Sequence, residues 1–304
     1  MSPLRQRWIQ WLASPQARDP QTGLWLSWSN GDHPGFAYEE ATAWVMLAAA
    51  PLRSLPQAAA LSAAVDQAAV VLAKRIRRHG GLRCGGRRYA FDTAVALAAW
   101  QAWGGPVDVE QQLLATLLDF CRSRTALDGG VPGGDETSDT RWSESWGAHQ
   151  LWLAGPLQRA GQAQAALDLV EELLPRVLRD DGLLRIHGAS DAVYAHAALY
   201  GAAGLLAVGE RGLAAGVAAE AMAALGGDGL VPTWLDPQTG PGRADATAQA
   251  AAITAESGAQ VADELRARAV AALGACTTVD GGVRYEADSQ DRNCCATAFC
   301  LRMG

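Results

Sequence analysis

The sequence has no excess of positive charge. Its 25 Lys and Arg are outnumbered by 32 Asp and Glu, giving a formal net charge of -7 and a pI of about 5.3. Nucleic acid rewards clustered cations at its phosphates, so no nucleic-acid partner is expected. The one basic run, Lys74-Arg75-Ile76-Arg77-Arg78, ends an expected helix, where cations match the helix dipole. An opening apolar stretch of signal-peptide length is missing, because Arg5 and Arg7 interrupt MSPLRQRWIQWLASPQ. No window reads as a membrane span either, since Gly, Asp or Arg breaks the Ala-rich segments. A cytoplasmic protein with its 6 cysteines reduced is the expectation that follows. None of these cysteines forms a CxxC pair, and adjacent Cys294 and Cys295 are badly placed to chelate one ion together. No metal or other cofactor is therefore expected. Strand signal is scarce: alternating pieces such as GGVRY are short and fall in loops.

What the sequence does have is a repeat. Turns of the form Gly-aliphatic stand at Gly23-Leu24, Gly81-Leu82, Gly130-Val131, Gly182-Leu183, Gly229-Leu230 and Gly282-Val283. They recur roughly every 50 residues, a period of repeated supersecondary units. A stretch of helical periodicity precedes each turn, as in residues 107–125, 162–178 and 261–276. A short segment rich in Gly, Pro and Arg follows it, and then a second, Ala-rich helix. The second helices open near Tyr38-Glu39-Glu40, Asp92-Thr93, Ser143-Glu144-Ser145, Asp191-Ala192, Asp245-Ala246 and Asp291-Arg292-Asn293. A helix apolar on most sides belongs inside, and a more polar one outside. Six outer–inner pairs predict a single all-α domain over residues 1–304, an (α/α)6 toroid of two concentric helical rings. The alternative is an open solenoid of helix pairs.

The segments GGLRCGG and YAFDTAVALAAW, with DGGVPGGDE and DGGVRYEADSQDRNCCATAFCL, resemble the repeat of terpenoid cyclases and protein prenyltransferase β-subunits. The resemblance covers nearly the whole chain and implies their toroid, with a glycine turn before each inner helix. It extends to small bacterial toroid proteins that accompany sugar-transfer genes. The chemistry of the cyclases and transferases is not matched: the sequence contains no DxDD acid motif, no DDxxD metal motif and no DxC zinc motif. Fold alone does not give function, and the same architecture serves glycoside hydrolases, lyases and sugar epimerases.

In such a toroid all inner helices run the same way, so their N-termini open at one mouth. Asp92, Asp191, Asp245 and Asp291 stand where a helix cap is expected, worth roughly 0.5–2 kcal/mol each. At a shared mouth a cap is also a cavity residue. Polar pairs at helical spacing add to this: Ser145 with His149, Asp191 with Tyr194, His196 with Tyr200, Asp245 with Gln249, and Asn293 with Thr297. Among apolar neighbours such residues cost free energy unless hydrated or paired. His149 and His196 are the candidates for proton transfer, since imidazole titrates near neutral pH. Glu144 and Asp191 are the carboxylates beside them, with Tyr38 and Tyr194 as assistants. Glu39, Asp92, Asp245 and Asp291 are candidates to hold substrate hydroxyls. Trp28, Trp142 and Trp234 offer flat apolar faces, and Arg141 and Arg292 could orient an acidic group. His33 and His187 are expected on loops at the same mouth. These residues point to an acid/base enzyme acting on a small-molecule or oligosaccharide ligand by hydrolysis, elimination or epimerisation. Isoprenoid chemistry on an aromatic-walled cavity, or a non-catalytic ligand-binding toroid, are the alternatives.

Overall fold

The computed structural model describes residues 1–29, 35–133 and 142–303. Outer helix α1 (Pro3–Ala13) leads to inner helix α2 (Glu39–Ala49), and outer α3 (Ala59–His79) to inner α4 (Ala90–Trp103). Outer α5 (Val107–Ser123) leads to an inner 3-10 segment, Ala148–Leu153, that runs on into α6 (Ala154–Arg159). Outer α7 (Ala163–Val177), α9 (Arg211–Ala223) and α11 (Asp263–Cys276) are followed by inner α8 (Ala195–Ala207), α10 (Ala244–Ser257) and α12 (Cys294–Arg302). Each inner helix packs on the next, and α12 returns to α2, so the inner ring is closed. The molecule is an (α/α)6 toroid.

Side-chain patterns sort the two rings. In α7 the buried residues are Ala166, Leu169, Val170, Leu173 and Val177, one stripe of an amphipathic helix. In α4 every residue but Gln101 and Ala102 is buried, as a helix covered on all sides requires. One segment, Pro56–His79, is long and apolar enough by length and composition to cross a membrane, contrary to the sequence expectation. Ala residues raise its average. In the fold it is α3 and the turn before it, with Leu61, Val65, Leu72 and Ile76 buried and Lys74 and Arg77 on other faces.

The glycine turns have a mechanical explanation. Thr42, Thr247 and Thr297 each lie four residues past the helix N-cap and donate a hydrogen bond to the N-cap carbonyl, at 3.0, 2.7 and 2.8 Å. The same hydroxyls accept from the backbone N–H groups of Trp25, Val231 and Val283, at 3.0, 2.8 and 3.0 Å. Each threonine thus clasps the turn to the start of its helix. The turn must bend sharply to reach it, with left-handed backbone at Gly23 (φ 73°) and Gly229 (φ 78°).

The ends of the chain close the ring together. β1 (Trp28–Ser29) pairs antiparallel with β7 (Arg292–Asn293), Trp28 opposite Asn293. The Trp8 indole donates to Thr277 Oγ1 at 3.0 Å, and Arg7 donates to the Thr278 carbonyl. Short strands β2 (Arg83–Cys84) and β3 (Arg87–Arg88) form a hairpin.

Three local features depart from the sequence reading. First, β4 (Val193–Tyr194), β5 (Val231–Asp236) and β6 (Gln238–Arg243) make a three-stranded sheet. Pro232, Pro237 and Pro241 with Gly240 and Gly242 mask its alternation in sequence. Second, the third inner helix starts late. Ser145 lies in a bend, so it does not share a helix face with His149. At Gly147 a Cβ would lie 1.9 Å from the Ile186 carbonyl oxygen, and the Ala148 N–H bonds that oxygen at 3.1 Å, so the chain presses on the next repeat before coiling. Third, none of the four aspartates is a helix N-cap. Asp92 and Asp245 fall inside the first turn, Asp191 and Asp291 lie before the helix, and the cap of α12 is Asn293, accepting from Ala296 N at 2.8 Å.

Candidate functional site

The N-caps are Tyr38, Tyr89, Gly147, Tyr194, Arg243 and Asn293. Counting two residues onward from each gives Glu40, Phe91, His149, His196, Asp245 and Cys295. Four of these, Glu40, His196, Asp245 and Cys295, line a cavity of about 580 Å³. The other two are covered. Trp142 lies 5.7 Å from Phe91 and 4.8 Å from His149, centroid to centroid, and turns its own ring to the cavity. The mouth therefore has an apolar side sealed by Trp142 and a polar side left open.

Aromatic rings make the walls and floor. Trp28, Phe36 and Tyr38 stand along one wall, with Trp28 edge-on to Phe36 at 5.3 Å. Tyr285, Glu286, Ser289, Asp291 and Asn293 also line the cavity, Asn293 paired with Trp28 across β1 and β7. Tyr200 forms the floor, stacked on Trp44 at 5.6 Å, and Trp44 in turn contacts Trp152 and Phe299 at 5.2 and 4.8 Å. These rings fill the axis below the cavity. A half-enclosed apolar pocket with a few convergent polar groups is the usual form of a small-molecule site.

The polar groups form one network. Asp245 is buried and receives Arg243 at two points, Nε at 3.2 Å and Nη2 at 2.9 Å, and its own neighbour Ala246 N at 2.8 Å. Burial opposes its ionisation, but Arg243 and His196 outweigh that and hold the carboxyl below the usual carboxylate range. Arg243 is itself fixed: Nη1 donates to Tyr194 Oη at 3.2 Å, and the guanidinium lies 3.6 Å from the centre of the Tyr285 ring. The hairpin of β5 and β6 delivers it, since Arg243 is both the last residue of β6 and the N-cap of α10. His196 Nδ1 sits 3.5 Å from Asp245 Oδ2, too long for a strong bond. Burial lowers the His196 pKa below its ordinary value, and Asp245 and Glu40 only partly restore it, so the imidazole is neutral near pH 7. Burial also raises the Tyr194 and Tyr200 phenols, keeping both protonated. Glu40 accepts from Tyr38 Oη and, at 3.1 Å, from Trp44 Nε1.

The sequence candidates divide by place. Tyr38, Trp28, Trp142, His196, Asp245 and Asp291 line the cavity. Tyr194 stands just behind it, between Trp142 and Trp234 at 6.1 and 5.1 Å. His149 is buried beneath Trp142, with Nε2 at 3.1 Å from Gln150 Nε2. Glu144 is half-buried and accepts from Tyr89 Oη at 3.0 Å. Glu39 turns outward to Arg75 and to the Arg83 N–H, at 2.8 and 2.9 Å. Asp92 is buried within the first turn of α4, off the cavity wall. Asp191 has a side chain 88% exposed, pairs with Arg185 at 3.1 Å, and belongs to a separate surface cleft with Arg179 and Asp236. Arg292 pairs with Asp280 at 3.2 Å. Arg141 and His33 lie outside the described residues. No cluster of three or more His, Cys, Asp or Glu that could hold a metal occurs among the described residues.

Glu40, Arg243, Glu286 and Cys295 were not singled out as site residues in the sequence. The clasping threonines carry the missing signal. The axis-facing residue lies two before Thr42, Thr247 and Thr297, which selects Glu40, Asp245 and Cys295.

Comparison with protein-family models gives no match, and comparison with curated proteins gives none either. Solved structures do match over nearly the full length. An unsaturated glucuronyl hydrolase specific for heparin has a TM-score of 0.69 at 14% identity, covering 99% of this chain and 94% of its own. A cellobiose 2-epimerase from Bacillus thermoamylovorans gives 0.67 at 15% identity, covering 99% of both chains. An unsaturated glucuronyl hydrolase of a Bacillus species, responsible for glycosaminoglycan degradation, gives 0.66 at 13%, with 98% and 95% covered. At these identities the likeness is one of fold. It is the toroid that this chain shares with them, and nothing in it singles out the terpenoid cyclase branch.

Proposed function

We propose that the protein is an acid/base enzyme acting on a carbohydrate or glycoconjugate, of hydrolase, lyase or epimerase type. One observation carries the reading: a neutral, buried His196 stands with Asp245 and Glu40 on an aromatic-walled cavity of about 580 Å³. Each of the three reactions needs groups that give and take protons. His196 accepts a proton, since its imidazole is neutral at the working pH. Asp245, locked by Arg243, stabilises the imidazolium that forms. Glu40, held by Tyr38 and Trp44, is the second proton-transfer group. Trp28 and Trp142 present flat faces to sugar rings. Of the other sequence candidates, Glu144, His149 and Asp191 hold Tyr89, Trp142 and Arg185 in place, and Tyr194 steadies Arg243. The carbohydrate enzymes among the structural neighbours support this reading.

Isoprenoid chemistry, as in terpenoid cyclases, is the rival reading. It draws on the rings of Trp28, Phe36, Trp142 and Tyr200, which could stabilise a carbocation. Four carboxylates on the same wall favour hydroxyl-bearing ligands instead.

The test is turnover of a disaccharide panel by the wild type, His196→Ala and Glu40→Gln, with circular dichroism as the folding control. Each variant is expected to lose roughly 10²–10⁴-fold in rate. The wild-type rate should fall as pH drops through the His196 pKa, below its ordinary 6.5, because protonation removes the acceptor. Unchanged turnover in both variants would remove the assignment.

A further inference from the structure

The charge on the cavity wall says more about the ligand, and this inference rests on the carbohydrate reading above. Among the described residues the wall carries Glu40, Asp245, Glu286 and Asp291 but no Lys or Arg. Arg243, next to the wall residue Asp245, has both its edges on Asp245 and Tyr194 and its face on Tyr285. Arg292 is turned to Asp280. Glu286 is half-buried on the wall, with no ion-pair or side-chain hydrogen-bond partner among the described residues. Its neighbours on the wall include Tyr285, and Trp28, Phe36 and Tyr38 supply further ring faces. His196, only 8% exposed, lines the same cavity, with Nδ1 3.5 Å from Asp245 Oδ2.

We propose that this cavity takes a cationic sugar, a glycoside with a free, protonated amine, and discriminates against uronic acids. A carboxylate brought into the cavity would lose water and meet carboxylates of its own sign. An ammonium group gains Coulomb attraction from Glu286 and the other acids, and cation–π attraction from the rings. A neutral sugar gains neither and suffers neither.

The experiment is tryptophan fluorescence titration, Trp28 and Trp142 being the reporters, with three disaccharides of one linkage. These are the glucosamine disaccharide, cellobiose and cellobiouronic acid, at about pH 6, where the amine is protonated. The expected order is amine, neutral, acid, with a span of roughly tenfold or more from first to last. In Glu286→Gln the preference for amine over neutral sugar should shrink several-fold, and added salt should shrink it in the wild type. Cellobiouronic acid binding as tightly as cellobiose, or the amine binding no tighter, overturns this inference alone. Binding of none of the three overturns it together with the carbohydrate reading.

Discussion

Replacing Asp245 by Asn tests the network on which the site is built. The substitution keeps the shape of the side chain and removes its charge. In the native protein that charge faces Arg243 at 2.9 and 3.2 Å, with the side chains only 7% and 3% exposed. The amide would leave a guanidinium buried without a counter-charge, which costs about 3–5 kcal/mol. Two charge-assisted hydrogen bonds at about 1.5–3 kcal/mol each give about 3–6 kcal/mol, which overlaps that range. For a chain of this length that lowers the melting temperature by about 5–8 °C. The assay is guanidinium and thermal unfolding at neutral pH of Asp245→Asn, Arg243→Met and the double variant. The double variant should recover most of the loss, because an ion pair removed whole leaves no lone charge. The sign with pH is also fixed. The Asp245 carboxyl is held low in the fold, so its contribution is present above the unfolded pKa and is lost as pH falls through the folded one. The wild type should therefore lose its advantage over Asp245→Asn in acid below the ordinary 3.8. A loss under about 1 kcal/mol, or a double variant no more stable than Asp245→Asn, would refute the reasoning.

Two further predictions concern packing and accessibility. At Gly204 in α8 a Cβ would lie 2.0 Å from the Leu151 carbonyl oxygen, so Gly204→Ala should cost about 3 kcal/mol or more. At Gly216, in α9 with open space around it, the same change should stabilise by about 0.5–1 kcal/mol. Equal effects in one unfolding assay would contradict the close contact of inner helices. Iodoacetamide at about pH 8 should leave Cys121, Cys276, Cys294 and Cys300 unmodified in the native protein. Burial raises all four thiols, Cys121 to about 12. Cys84 and Cys295, half-buried on the cavity, should react, and more slowly when a sugar is bound. Mass spectrometry reads the adducts, and fast labelling of Cys294 would count against the packing described.

The toroid was legible because its signals are local and repeated. A glycine turn, a polar helix start and an Ala-rich helix recur six times, and each element needs only its own residues to be recognised. The site was less legible because it depends on rotation about each helix. Glu39 and Glu40 are neighbours in sequence, yet one step on a helix turns a side chain by about 100°. That step separates a tether to Arg75 from a cavity wall. Asp191 failed for a similar reason. Aligning helix starts by their acids placed it beside Asp245, but its helix begins at Ala195, and the equivalent position is His196. The strand residues that deliver Arg243 were hidden by proline and glycine, which carry no alternating pattern.

The closed ring explains why such residues collect where they do. Six helix starts at one mouth bring six partial positive charges together. Carboxylates placed there are stabilised by the backbone itself, and Asp245 takes a hydrogen bond from Ala246 N in the first turn of α10. A protonated imidazole at the same position is disfavoured by that field, which acts in the same direction as the burial of His196. Asp245 opposes both from 3.5 Å. The fold therefore holds a carboxylate ionised and an adjacent histidine neutral, with a pKa set by burial against the charges of Asp245, Arg243 and Glu40. The His196 pKa is set in part by Arg243, a residue that does not itself line the cavity. Loosening Arg243 from Asp245 would free more of the aspartate charge for His196 and raise the imidazole pKa. Conversely, Tyr194→Phe, which removes one support of Arg243, should move the acid limb of a pH–rate profile upward while leaving every wall residue in place.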